Sequence, residues 1–263
     1  MSSEEDVAAK PYHYFSPQKA KEKMPWQKVL IVKNVSEECP GLLEGVLKER
    51  DIPFDVVDLH KGNVFPNPLK YLALFVFGGP DSANDLTPKI QNELRKIREA
   101  LNAGVPYFGI CLGMQLLVKA AGGEVYRNPV KEVGWKDPEG EYFCIDFTPG
   151  GQSDPIFRGL SSPLKIFQLH GETVRLTKKI SLLATGKHCK NQVVRVSDNA
   201  YGIQGHPELT PVMFEAWLTE DEDLKKADPA FLTNDYQPIR MEYEKIGKTI
   251  FNNFLEQVKI AAV

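Results

Sequence analysis

An open α/β sheet, mostly parallel with an antiparallel extension and with helices on both faces, is the fold class this sequence predicts, and three observations predict it. Between residues 28 and 123, short apolar runs alternate with helical patterns, the arrangement of successive βαβ units around a parallel sheet. Within that stretch, Gly109-Ile110-Cys111-Leu112-Gly113 joins an apolar run to an amphipathic helix. Small residues two before and two after such a cysteine let the backbone pack tightly while one side chain projects into a cleft. After Gly123 the texture changes to short strand-like pieces separated by turn residues, as in a mixed or antiparallel sheet.

The elements follow in order. Residues 29–32, 54–59 and 72–77 read as strands, with a helix over 42–48 between the first two. Ile90, Leu94, Ile97 and Leu101 recur at steps of four, three and four, forming one helical stripe that Gly104 terminates. Residues 107–110 form a central strand and 112–121 the helix after it, closed by Gly122-Gly123. Strand-like pieces follow at 141–147, 164–169, 181–185, 192–196 and 201–204. Thr210 and Pro211 suit the N-cap and first position of a helix over 211–218. A polar connection over 219–237 then leads to a terminal helix with Tyr243, Ile246, Ile250, Phe254 and Val258 on one face. Residues 1–25 are expected to be an N-terminal extension, partly disordered, in which His13 lies and Tyr12, Tyr14 and Phe15 could pack on the body. Residues 26–218 are expected to be one domain, and 219–263 a C-terminal loop and helix packed on it.

At 263 residues, 42% of them hydrophobic and 25% charged, the chain has apolar material for one large α/β domain. Its 32 basic and 35 acidic residues are interspersed, giving a net charge of -3, so no basic stripe is present of the kind a nucleic-acid partner requires. The cysteines at 39, 111, 144 and 189 form no Cys-x-x-Cys pair and no cluster with histidines. That argues against a disulfide scaffold or a metal site and for a reducing compartment, so a cytoplasmic location is expected. Residues 1–25 lack the apolar core of a signal peptide, and no stretch approaches 18 uninterrupted apolar residues, so no membrane partner is expected.

At the carboxyl end of a strand and the amino end of a helix, Cys111 stands where open α/β sheets bind ligands. The helix dipole and an unpaired N–H there favour a thiolate. The N–H of Leu112 is one donor for an oxyanion, and the turn Phe77-Gly78-Gly79-Pro80 offers a second, from Gly79. Gly205-His206-Pro207-Glu208 supplies a base and its orienter: residues two apart in extended backbone point to the same side, and the proline fixes φ between them. His170 reads as structural, because the triad is complete without it. His60 and His188 read as surface or loop residues, and Cys39, Cys144 and Cys189 as small fillers or loop thiols. Trp135 suits core packing better than a cleft, and the acidic run 220–223 reads as a solvated helix entrance with no assigned role.

These motifs, with Gly109 to Gln115, the Gly78-Gly79-Pro80 turn and Gly202 to Glu208 in that order, resemble the class I (triad) glutamine amidotransferases. The resemblance spans roughly residues 28 to 218. It is similar in particular to the amidotransferase domain of GMP synthases and to related stand-alone proteins. It implies a flavodoxin-like open sheet, a catalytic Cys111, His206 and Glu208, and attack on the side-chain amide of glutamine through a γ-glutamyl thioester. It also implies an oxyanion hole from the backbone of Gly79 and Leu112, a substrate contact from Gln115, and substrate-binding roles for Leu169, His170 and Gly171. No cofactor is implied. Synthetase-linked members more often carry Ser-His-Gly-Asp where this chain has Leu169-His170-Gly171-Glu172, which leaves the substrate open between glutamine and another γ-glutamyl compound.

Neither a Gly-x-x-x-x-Gly-Lys-Ser/Thr loop nor a Ser-Gly-Gly-x-Asp-Ser loop occurs, so an ammonia-accepting synthetase is expected as a separate subunit. The alternatives are a stand-alone γ-glutamyl hydrolase or peptidase acting on glutathione-like compounds, and a non-catalytic binding protein of the same fold.

Overall fold

A continuous apolar run such as Val29-Leu30-Ile31-Val32 is stable only with both faces covered, and the computed structural model, which describes residues 28–260, covers both. Val29 and Ile31 enter one hydrophobic cluster while Leu30 and Val32 enter the other. The order is β1 (Val29–Lys33), α1 (Gly41–Glu49), β2 (Phe54–Asp58), β3 (Ala73–Val76), α2 (Pro88–Asn102), β4 (Tyr107–Ile110), α3 (Leu112–Ala120) and β5 (Glu124–Gly134). Then come β6 (Cys144–Phe147), α4 (Pro149–Gln152), β7 (Leu164–Lys165), β8 (Gln168–Arg175), β9 (Ser181–Thr185), β10 (Val193–Ser197), β11 (Ala200–Ile203), α5 (Pro211–Glu220), α6 (Pro229–Tyr236) and α7 (Arg240–Gln257).

Nine strands form one sheet in the order β2-β1-β3-β4-β11-β10-β9-β6-β7. Its first five strands are parallel neighbours and the rest pair antiparallel. This is the expected mostly parallel α/β sheet with an antiparallel extension. One face packs under α1 and α7, where the rings of Phe75 and Phe108 lie 5.3 and 5.2 Å from that of Phe254. The other packs under α2 and α3. Trp135 is core, stacked on Tyr236 at 4.7 Å. Among the described residues no helix is long and apolar enough to cross a membrane. The N-terminal extension, with His13, Tyr12, Tyr14 and Phe15, lies outside the described residues.

Four readings differ from the structure. The strand over 141–147 begins only at Cys144, and the one over 164–169 divides between β7 and β8. β8 pairs with β5, an unexpected strand, in a separate two-stranded ribbon. β5 is half exposed and carries Pro129, and its pairing shifts between Arg127 and Glu132, so no apolar alternation marks it. The connection over 219–237 is largely helical. Asp221 Oδ1 accepts from the N–H groups of Asp223 and Leu224 to start a single 3₁₀ turn, and Asp228 caps α6 through Ala230 N–H. These caps are local hydrogen-bond chemistry on segments too weakly amphipathic for a periodicity reading.

Candidate active site

Cys111 sits between β4 and α3 with φ 51° and ψ -109°, a left-handed conformation that costs a non-glycine residue of order 1–3 kcal/mol and persists only where the surroundings impose it. The two glycines impose it here. A Cβ on Gly113 would lie 1.9 Å from Val76 O, and one on Gly109 would lie 2.5 Å from Gly113 C, so strand and helix approach too closely for any side chain. The Cys111 N–H donates to Ile203 O at 2.9 Å, tying the elbow to β11.

Parallel pairing of Ile203 with Ile110 brings the segment after β11 beside the elbow, and His206 and Glu208 lie on that segment. His206 Nδ1 is 2.7 Å from Glu208 Oε1. Its Nε2 is buried without a partner, on the side where Cys111 lies. Gly78 lies against both side chains: a Cβ there would lie 3.1 Å from His206 Cε1 and 3.4 Å from Cys111 Cβ. Leu42 N–H of α1 donates to Glu208 O at 2.8 Å. Tyr243 of α7 donates its hydroxyl to His206 O and accepts from Leu209 N–H at 3.1 Å. Burial alone would push the imidazole pKa down, but the Glu208 carboxylate and the Cys111 side chain outweigh it and hold His206 well above the usual histidine value.

The β5–β8 ribbon covers this group. Cys111 Sγ lies 3.7 Å from Leu169 O, Gln115 Nε2 donates to Glu172 O at 3.1 Å, and Ser82 Oγ donates to Glu172 Oε2 at 2.8 Å. A cavity of about 530 Å³ results, reached by Gly79, Leu112, Gln115, Leu169, Gly171 and Glu172 as well as by Cys111 and His206. Leu112 opens α3, so its N–H has no intrahelical acceptor. Gly79 is pressed on Asn34, which is fixed by a 3.0 Å bond to the buried Glu93. His170 borders the cavity, but both of its ring nitrogens are taken, Nε2 by Glu132 at 2.7 Å and Nδ1 by Glu172 O at 3.0 Å.

The acidic run 220–223 is a helix exit rather than an entrance, and it forms part of the cavity rim, where Asp223 pairs with Lys131. Sequence reasoning missed Glu38, Gly78, Gln204 and Tyr243. Gln204 Nε2 lies 3.8 Å from Cys111 Sγ and its Oε1 3.4 Å from Gln115 Nε2. Its place in the Gly-Ile-Gln-Gly-His motif was the available signal. Glu38 is 1% exposed and its Oε1 lies 3.9 Å from His206 Nδ1. An acidic pair in the loop after the first strand, at the ligand-binding edge of such a sheet, was its only signal.

Among the described residues, three groups bring metal-capable atoms within 4.8 Å of one another: Glu132, His170 and Cys189; Glu38, His206 and Glu208; and Asp137, Glu139 and His188. In each the histidine already bonds a carboxylate, so internal hydrogen bonds account for the clustering.

The sequence profile described as Glutamine amidotransferase class-I matches residues 42–224. A glutamine amidotransferase-like protein of Salmonella typhimurium, YfeJ, is 27% identical over 203 residues, covering 74% of this chain and 82% of that one. A glutamine-hydrolysing GMP synthase of Tropheryma whipplei is 32% identical over 143 residues, which span 54% of this chain and 25% of the synthase. A glutamine amidotransferase crystal structure from Thermotoga maritima superposes with a TM-score of 0.76 at 28% identity, covering 87% of this chain and 98% of that one. One from Methylobacillus flagellatus gives 0.75 at 26%, covering 88% and 95%.

Proposed function

We propose a function from one premise: this chain belongs to the class-I glutamine amidotransferase family. In this reading it hydrolyses the side-chain amide of glutamine to glutamate and ammonia. The observation that carries it is a thiol on a strained elbow beside an imidazole whose far nitrogen is held by a buried carboxylate. The raised pKa of His206 suits a resting imidazolium that carries the proton the leaving group needs.

The sulfur attacks the amide carbon and the carbonyl electron pair moves to oxygen, where the N–H groups of Leu112 and Gly79 receive it. Collapse breaks the C–N bond while His206 Nε2 gives its proton to the departing ammonia. Water then attacks the thioester carbon, loses a proton to His206, and the thiolate leaves as glutamate forms. Glu208 keeps the ring aligned and stabilises its charge. The Leu169–Glu172 strand and Gln115 hold the amino acid end. The ammonia would pass to a synthetase subunit on another polypeptide, as the GMP synthase relatives suggest, and a cytoplasmic location suits this chemistry.

One observation favours a second reading, a γ-glutamyl hydrolase or peptidase. A cavity of about 530 Å³ is in the range that takes drug-sized ligands and is larger than glutamine requires.

Turnover of glutamine and of γ-glutamyl peptides by the wild type and by Cys111→Ser tests both. We expect Cys111→Ser to lose about 10³-fold or more in kcat, with preference for the longer substrates selecting the second reading. Equal turnover by the variant would overturn both, and no turnover by the wild type on any of these substrates would leave a binding protein of this fold.

A further inference from the structure

Glu38 approaches the triad from the loop between β1 and α1, and its surroundings are unusual for a carboxylate. Its side chain is 1% exposed. Both of its oxygens, and Oε2 of Glu208, are buried without a well-formed hydrogen bond, the backbone of Gly78 being the one donor that bears on Glu38. Oxygens of Glu38 and Glu208 lie within 4.8 Å of each other; two ionised carboxylates so placed would repel each other in a medium that screens poorly, and each oxygen left without a well-formed bond carries a desolvation cost. One proton held between the two resolves both difficulties at once, because the protonated carboxyl becomes the donor the other lacks.

We propose that Glu38 is a positioning residue of this site: as the carboxylic acid it donates a hydrogen bond to Glu208, and thereby holds that carboxylate in line with His206. The inference rests on the triad reading above. It is a mechanical role as well as an electrostatic one. Glu38 Oε1 would lie 3.3 Å from a Cβ on Gly78, the residue that also lies against His206 and Cys111, so the acid braces Gly78, which leads into the proposed oxyanion donor Gly79. The segment it braces is otherwise held by its backbone, through Leu42 N–H to Glu208 O and Tyr243 to His206 O. Glu208 Oε2 itself has no other tether.

Burial, reinforced by the Glu208 charge, pushes the Glu38 pKa up to about 8, while His206 pulls it the other way. These two are the charged groups that bear most on it. Beyond them, Cys111 faces the imidazole and Tyr243 of α7 faces Glu208. The acid form therefore prevails at neutral pH and is lost as pH rises through about 8. There the shared proton goes and two carboxylates face each other beside His206.

The test is kinetic, on purified full-length wild type, Glu38→Gln and Glu38→Ala, with glutamine and a γ-glutamyl peptide as substrates. Glutamine at this position keeps a donor toward Glu208 at every pH; alanine has none. We expect Glu38→Ala to lose about 10- to 100-fold in kcat with KM little changed, the scale seen when a residue orienting an active group from behind is removed. We expect Glu38→Gln to restore most of that loss. We also expect the wild-type kcat to decline above about pH 8 and this decline to be absent from Glu38→Gln. A merely structural role would not move the pH profile.

An alanine variant as active as wild type, or a glutamine variant no better than alanine, overturns the proposal. So does an alkaline decline shared by wild type and Glu38→Gln. Should Glu38→Ala fail to fold, the comparison of Glu38→Gln with wild type across pH decides alone. Activity retained by Cys111→Ser would remove the triad reading itself, whereas activity that depends on Cys111 but is indifferent to Glu38 removes only this inference.

Discussion

Among the described residues two buried histidine–carboxylate pairs stand at 2.7 Å: His206 with Glu208, and His170 with Glu132. They differ in what remains unspent. His170 uses both ring nitrogens, and Glu132 accepts from His170, from Gln192 Nε2 at 3.0 Å and from Cys189 N–H at 3.2 Å. The pair is closed, and it stiffens the ribbon that roofs the cavity. His206 leaves Nε2 free toward Cys111, and Glu208 leaves Oε2 toward Glu38. That pair is open at both ends. A carboxylate beside a histidine therefore does not single out the proposed base; an unsatisfied ring nitrogen in a cleft does.

The contrast breaks most sharply under alanine substitution. Each replacement removes the histidine beside a buried carboxylate, a loss that can cost about 3–5 kcal/mol in such settings, so both variants should lower the denaturation midpoint, His170→Ala by less because Glu132 keeps its bonds from Gln192 and Cys189. Turnover should separate them. We expect His206→Ala to lose about 10³-fold or more in kcat, and His170→Ala no more than about tenfold, mostly in KM, through the loosened Leu169–Glu172 strand. Equal losses of kcat in the two variants would erase the distinction between open and closed pairs.

How much of this was legible follows from how local each feature is. The elbow was readable because Gly109, Cys111 and Gly113 are contiguous and their close packing is dictated by their own turn. His206 and Glu208 were readable because two residues of extended backbone bring them together. Thr210 was readable as a cap, and its Oγ1 does accept from Met213 N–H. Glu38 was not, because its meaning arises only when β1 and β11 end at the same edge of the sheet and a solitary loop acid meets another carboxylate. β5 and the residues after α5 were misread for a different reason. Their order comes from side-chain caps, a shifted register and half-exposed pairing, none of which leaves an apolar period. His170 reads as structural from sequence by elimination, and the structure supplies the cause in the Glu132 bond.

The open pair, through Glu38, also predicts a pH signature in stability. Glu38 holds its proton in the native state up to about pH 8, against a reference carboxyl value of 4.5 in the unfolded chain. With the native pKa raised, the group's contribution is fully present below pH 4.5 and is lost as pH rises through 8. Glu38→Gln carries no such proton, so the stability of the variant relative to wild type should rise across that interval and level off above it. One proton gives at most about 1.4 kcal/mol per pH unit. Denaturant titrations of the two proteins at several pH values read the tilt; parallel curves would show that the two carboxyls share no proton.

Gly78 offers the finest adjustment, because a side chain there would meet His206, Glu38 and Cys111 together. Its backbone does not require glycine, since its φ lies outside the left-handed region. The restriction is contact alone. An alanine methyl would stand 3.1 Å from His206 Cε1, 3.3 Å from Glu38 Oε1 and 3.4 Å from Cys111 Cβ, each a few tenths of an ångström too close or just touching. The imidazole is pinned by Glu208 and the thiol by its elbow, so the displacement must come from their mutual alignment. Misplacing a reacting group by about 1 Å can cost of order 10²-fold, and a shift of a few tenths should cost less. Gly78→Ala is therefore expected to fold, to retain substrate affinity and to lose about tenfold in kcat, with slower alkylation of Cys111 by a glutamine-like chloroketone. Loss of affinity with unaltered kcat would mean instead that Gly78 shapes the substrate pocket and that the base and the thiol are not held across it.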